Sequence, residues 1–174
     1  MFFKRKISEE NLKKGELLFF KHNGDFTQMI EMGDYLTYKK LNISQEKEDE
    51  WYELIVNDLI DKIFKEKKVI NVVCLVNQLV FIGKFENKVI QTLINLLNED
   101  YDTYTKLLFL EELNLIKKSI KSNHNANNLE SIITKYKNML LINKFFVSDD
   151  WLQLEHLKDY DFSKENIKNR IMKL

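Results

Sequence analysis

With 174 residues, 44% of them hydrophobic and 12% aromatic, the chain has the length and apolar content to bury the core of one domain, which excludes wholesale disorder. Lys plus Arg and Asp plus Glu each number 27, so the uniform basic field of most nucleic-acid binders is missing. Pro is absent and Gly occurs four times, which excludes Pro-rich and Gly-rich linkers and disfavours the turn chemistry of an all-β fold.

The opening "MFFKRKISEENLKKG" lacks the apolar stretch of a secretory signal, so a cytoplasmic protein is expected. Within it Ser8 caps a helix of one or two turns ending before Gly15, with Ile7 and Leu12 at the spacing of a hydrophobic staple. "ELLFFKHNGDFTQMIEMGDYLTYKKLNI" follows, rich in aromatic and branched residues and broken by "NGD" and "MGD". A glycine at each break predicts a two- or three-stranded β-meander over 16–41, with strands near 16–22, 26–32 and 35–41.

From Ser44 the period becomes 3.6. Tyr52, Ile55, Val56, Leu59, Ile60 and Ile63 share one face of a long helix that is acidic at its start and Lys-rich at its end, matching the helix dipole. Residues 69–82 are nearly uncharged, yet fourteen positions fall short of the roughly twenty a membrane span requires. Asn71, Cys74, Asn77 and Gln78 recur every three or four residues, which makes a stripe on a helix and would scatter across a strand. A helix buried on most sides is predicted, with Cys74, the lone cysteine, as a small core residue in a reducing compartment.

Val89, Ile90, Leu93, Ile94 and Leu97 mark the next helix, and Leu107 to Ile116 another. "KSNHNANN" at 121–128 reads as a flexible loop, and Leu129 to Leu141 as a helix. Ser148 and Ser163, each flanked by a staple pair, predict two short closing helices, with "NKFFV" as an extended connector that buries Phe145 and Phe146.

"VVCLVNQLVFIGKFENKVIQTLINLLNEDYDTYTKLLFLEELNLI", residues 72–116, resembles HEAT-type helical repeats: an inner helix, a small-residue turn, an outer helix, an acidic turn and the next inner helix. The resemblance implies a mainly α fold, an irregular antiparallel HEAT-like helical array over 44–120. The β-meander would open it and C-terminal helices over 129–174 would close it, within a single domain spanning 1–174. In general build the chain is also similar to the bacterial immunity proteins that neutralise polymorphic toxins.

The sequence contains no nucleophile elbow, phosphate-binding glycine loop or dinucleotide fingerprint, and His22, His124 and His156 stand far apart, so no enzyme, cofactor or metal site is expected. Acids cluster instead. Glu46, Glu48, Asp49 and Glu50 precede Trp51 and Tyr52; Glu99, Asp100 and Asp102 surround Tyr101; Asp149 and Asp150 precede Trp151. Aromatics ringed by charge suit a protein interface, and an acidic face would steer a basic partner, so these thirteen residues are the candidate surface for a protein partner such as a cognate toxin. The alternative is a phage- or plasmid-type regulator that meets nucleic acid through Lys117, Lys118, Lys121, Lys135, Lys137 and Lys144.

Overall fold

The computed structural model describes residues 7–120 and 123–174. Residues 1–6, where the sequence predicts no secretory signal, and Lys121 of the basic segment lie outside them. Among the described residues all regular structure is helical: α1 (Glu9–Lys21), α2 (Phe26–Glu31), α3 (Tyr35–Lys40), α4 (Gln45–Lys65), α5 (Val69–Ile82), α6 (Glu86–Asn98), α7 (Thr103–Ser119), α8 (Asn123–Ile142), α9 (Asp149–Leu152), a 3-10 turn (Glu155–Leu157) and α10 (Lys164–Lys173). The chain forms two compact units, one reaching Asp58 and the other running from Leu59 to Leu174.

The first unit overturns the predicted meander. Ser8 does cap α1, its hydroxyl accepting from Asn11 N at 3.2 Å, but the helix runs through Gly15 to Lys21. Burial along it follows three- and four-residue steps, through Gly15, Phe19 and His22, and leaves Leu17 71% exposed; a strand would have buried alternate residues. Gly15 is inside the helix because Ile43 packs against its backbone, where a Cβ would lie 2.6 Å from Ile43 Cδ1.

"NGD" and "MGD" are chain reversals between helices. Gly24 (φ 72°) and Gly33 (φ 76°) are left-handed and end α1 and α2. The following Asp25 and Asp34 are the N-cap residues of α2 and α3, and the Asp25 carboxylate accepts from Thr27 N and Gln28 N. A Cβ on Gly24 would meet Tyr52 Cε1 at 2.5 Å and Phe19 Cζ at 2.9 Å, whereas one on Gly33 would meet nothing. Gly33→Ala should therefore cost about 1 kcal/mol for its backbone alone, and Gly24→Ala about 2 kcal/mol or more, because overpacking adds to the strain. Urea denaturation of the two variants checks the ranking.

Phe19 is the hub of this unit. Fully buried, its ring lies 4.8 Å from Tyr52, 5.3 Å from Trp51, 6.2 Å from Tyr38 and 6.4 Å from Phe26, centroid to centroid. Tyr52 Oη donates to Gly24 O at 2.7 Å, which ties α4 to the end of α1, and burial, aided by Glu48, pushes the phenol up to about 12.

α1 and α3 are joined by charge as well. Asp34 Oδ2 accepts from Lys21 Nζ at 2.7 Å and lies 2.9 Å from His22 Nε2. His22, at the end of the first predicted strand, is instead buried at the α1 C-cap. The Lys21 ammonium, and then the His22 ring, hold the Asp34 carboxyl below its ordinary 3.8. A depressed carboxyl contributes stability that is present above 3.8 and is lost as pH falls through the folded-state value. Asp34→Asn is thus expected to lower the urea midpoint at neutral pH, with the gap from wild type closing on the acid side of 3.8.

In the second unit α7 is the central element. It packs against α5, α6, α8 and α10, and Leu107, Phe109, Leu110 and Leu113 on it are wholly buried. α5 coincides with the predicted helix and stops at left-handed Gly83. It buries Val72, Val73, Val76 and Leu79, while its polar stripe of Asn71, Cys74, Asn77 and Gln78 is exposed. Cys74 is accordingly a surface residue, contrary to expectation, because it falls on that stripe. Among the described residues no helix is long and apolar enough to cross a membrane.

Two further expectations change. Residues 123–128 of the predicted loop lie within α8, where Asn127 and Asn128 occupy exposed helical positions. Phe146 is 57% exposed: the connector holds on through its backbone, Phe146 O accepting from Thr103 N at 2.8 Å and Phe146 N donating to Thr103 Oγ1 at 3.1 Å. Ser148 and Ser163 cap α9 and α10 as predicted.

Candidate functional site

The acidic candidates divide by burial. Glu46 and Glu50 are exposed and Glu48 and Asp49 half-buried, along the first turns of α4. Trp51 and Tyr52 do not share that surface: they are 2% and 8% exposed, because they face Phe19. This is a correction to the predicted aromatic half of the interface.

Trp151 is corrected likewise. It is 6% exposed, its Nε1 donates to Thr105 Oγ1 at 2.9 Å, and Tyr104 stacks edge-on against it at 5.1 Å. The Thr105 hydroxyl in turn donates a hydrogen bond to Asp102 Oδ2, and Asp102 Oδ1 accepts from Tyr104 N and Thr105 N. Asp102 is therefore a buried N-cap of α7, with no part in a docking surface. Tyr101 is half-buried, edge-on to Phe109 at 5.5 Å. The structure brings the 99–102 and 149–151 segments together through these bonds, and leaves only Glu99, Asp100, Asp149 and Asp150 exposed.

The lysines of the alternative reading are partly engaged within the fold. Lys117 pairs with Glu130, Lys137 Nζ donates to Met172 O at 2.9 Å, and Lys135 Nζ lies 5.2 Å from the Tyr136 ring centroid.

Beside the acidic start of α4 lies a pocket of about 340 Å3, which sequence reasoning missed. Phe26, Tyr35 and Tyr38 line it, with Phe26 5.6 Å from Tyr38 and 6.1 Å from Tyr35 between centroids. Tyr38 Oη donates to Glu48 Oε1 at 2.9 Å; burial, then Glu48 itself, pushes that phenol far up, so it remains a donor. Tyr35 and Tyr38, three apart on α3, have the spacing of neighbours on one helix face, a signal that a strand assignment of 35–41 obscures.

One buried polar atom is unmatched among the described residues: Asn114 Oδ1 on α7. Asn114→Ala, which removes the unmatched oxygen and adds no volume, is expected to cost less than about 1 kcal/mol because the relieved desolvation penalty offsets the lost packing, measured by urea denaturation. No group of three or more His, Cys, Asp or Glu is placed to hold a metal ion among the described residues.

Comparison with protein-family models, with curated proteins and with solved structures returns no match.

Proposed function

We propose that the protein is a non-enzymatic protein-binding module, most specifically an immunity-type protein that sequesters a bacterial toxin through the acidic start of α4. The carrying observation is that Glu46, Glu48, Asp49 and Glu50 present carboxylates along one helix start, next to an aromatic pocket of which Glu48 is itself a wall. Such a surface attracts a basic partner over long range, and the rings supply contact area once it arrives.

The HEAT-like reading of residues 72–116 is supported by packing order. α6 packs on α7 and α7 on α8, while α5 also packs on α7, the next helix but one, as inner helices of successive repeats do.

The test is capture of partners by the tagged full chain from its native host, at low and moderate salt, compared with a Glu46→Lys/Glu50→Lys variant. One stoichiometric protein, retained by wild type and lost by the variant, is the expected result. Recovery of nucleic acid that is lost as salt rises, with no protein partner, would overturn the proposal in favour of a nucleic-acid-associated regulator.

A further inference from the structure

We propose that the pocket between α3 and the start of α4 receives an arginine side chain presented by a protein partner, its guanidinium lying against the half-buried Tyr35 ring and donating to Glu48, which the buried Tyr38 hydroxyl holds in place. This deepens the protein-binding reading and rests on it. An open pocket lined by aromatic rings, with a carboxylate in its wall, suits a flat cation: the accessible Tyr35 ring attracts positive charge, and a fork of N–H donors matches a carboxylate edge.

The acceptor is available. Tyr38 occupies only Oε1 of Glu48, and Oε2 carries no hydrogen bond among the described residues. Asn42, also at the pocket, uses its Nδ2 to donate to Lys40 O at 3.3 Å, which leaves the amide oxygen as a second acceptor among the lining groups.

The chain already places one cation on this wall. Lys39 Nζ lies 5.7 Å from the Tyr35 ring centroid, and among the described residues it makes no ion pair with Glu48. Lys39 is an exposed side chain on a flexible stem, so an arriving guanidinium displaces it into water at little cost. Glu46, Asp49 and Glu50, within a turn of Glu48, add the field that favours a cation over a neutral group, reduced where Lys47 pairs with Glu50.

The experiment is a titration of the full chain with N-acetyl-arginine amide, following the Tyr35 and Tyr38 ring resonances by NMR, with N-acetyl-citrulline amide as the neutral analogue of the same shape. Saturable shifts of both rings are expected, in the millimolar range for so small a probe and at least about tenfold weaker with citrulline. Glu48→Gln, which keeps an acceptor for Tyr38, should abolish the preference for arginine; Tyr35→Leu, which leaves the Tyr38–Glu48 bond alone, should weaken binding of the probe. Absence of saturable shifts, or equal shifts with citrulline, would overturn the proposal. Because the probe needs no partner, failure here leaves partner capture by wild type intact, whereas failure of capture alone removes the protein-binding reading.

Discussion

Phe19→Ala is expected to cost the first unit about 3–5 kcal/mol, the range for emptying a buried aromatic site. Phe19 has no exposed surface, and its ring meets Phe20, Phe26, Tyr38, Trp51 and Tyr52, so the cavity would open among rings belonging to four helices. Rigid rings anchored by their own hydrogen bonds, Tyr52 to Gly24 O and Tyr38 to Glu48, cannot slide in to fill it. A unit of this size holds only a few kcal/mol in total. The loss should therefore appear as local unfolding. Hydrogen exchange read by mass spectrometry should show α1 and α3 losing protection while α7 keeps it; Phe19→Leu should fall between wild type and alanine. Unchanged protection across α1 and α3 in the alanine variant would show that Phe19 is not the hub.

That ring cluster also shows where the sequence could and could not be read. From Ser44 to Asn98 the apolar residues recur at helical spacing over long stretches, and α4, α5 and α6 appear where that spacing places them. α2 and α3 have six residues each, less than two turns, so periodicity has too little length to separate helix from strand. Local chemistry held the better signal: in both "NGD" and "MGD" the glycine ends one helix and the aspartate begins the next, whereas a tight hairpin would have used the glycine within the reversal itself.

Of the candidate surface, the acids were legible and the aromatics were not. Tyr52 lies three residues before Ile55 and four before Val56, on the face that the α4 periodicity itself buries, so that spacing already argued against an exposed ring. Trp151 sits in a four-residue helix, where no spacing could decide, and its burial depends on Thr105, 46 positions away. The pocket joins Phe26, Tyr35 and Tyr38 to Glu48 across three helices, a juxtaposition created by tertiary packing that no local pattern encodes.

Arg170→Met is expected to cost the second unit about 2–3 kcal/mol, less than a fully buried pair would because both partners keep some access to water. Arg170 is one of two arginines among the 27 Lys and Arg residues of the chain, and the structure uses what lysine lacks. Its Nη2 donates to Glu111 Oε1 at 2.6 Å and Oε2 at 2.7 Å, Nε reaches Oε1 at 3.1 Å, and Nη1 donates to Tyr160 Oη. The guanidinium also lies 5.6 Å from the Tyr104 ring centroid and 5.7 Å from that of Tyr160, so α10 is fastened to α7 and to the segment before it by one planar group. Burial works against its charge, but the bonds to Glu111 and Tyr160 outweigh that and hold the guanidinium above its ordinary range. Arg170→Lys keeps the charge and loses the fork and the stacking, so it should be destabilised by about 1–2 kcal/mol in urea, short of the methionine variant. Most of the methionine penalty is the Glu111 carboxylate left half-buried without a partner. Arg170→Met combined with Glu111→Met should then recover much of the loss, and a double-mutant cycle over these variants measures it. A double variant as unstable as the sum of the two singles would show that the pair is not coupled, and that α10 is held by Ile167 and Ile171, both fully buried, rather than by the arginine.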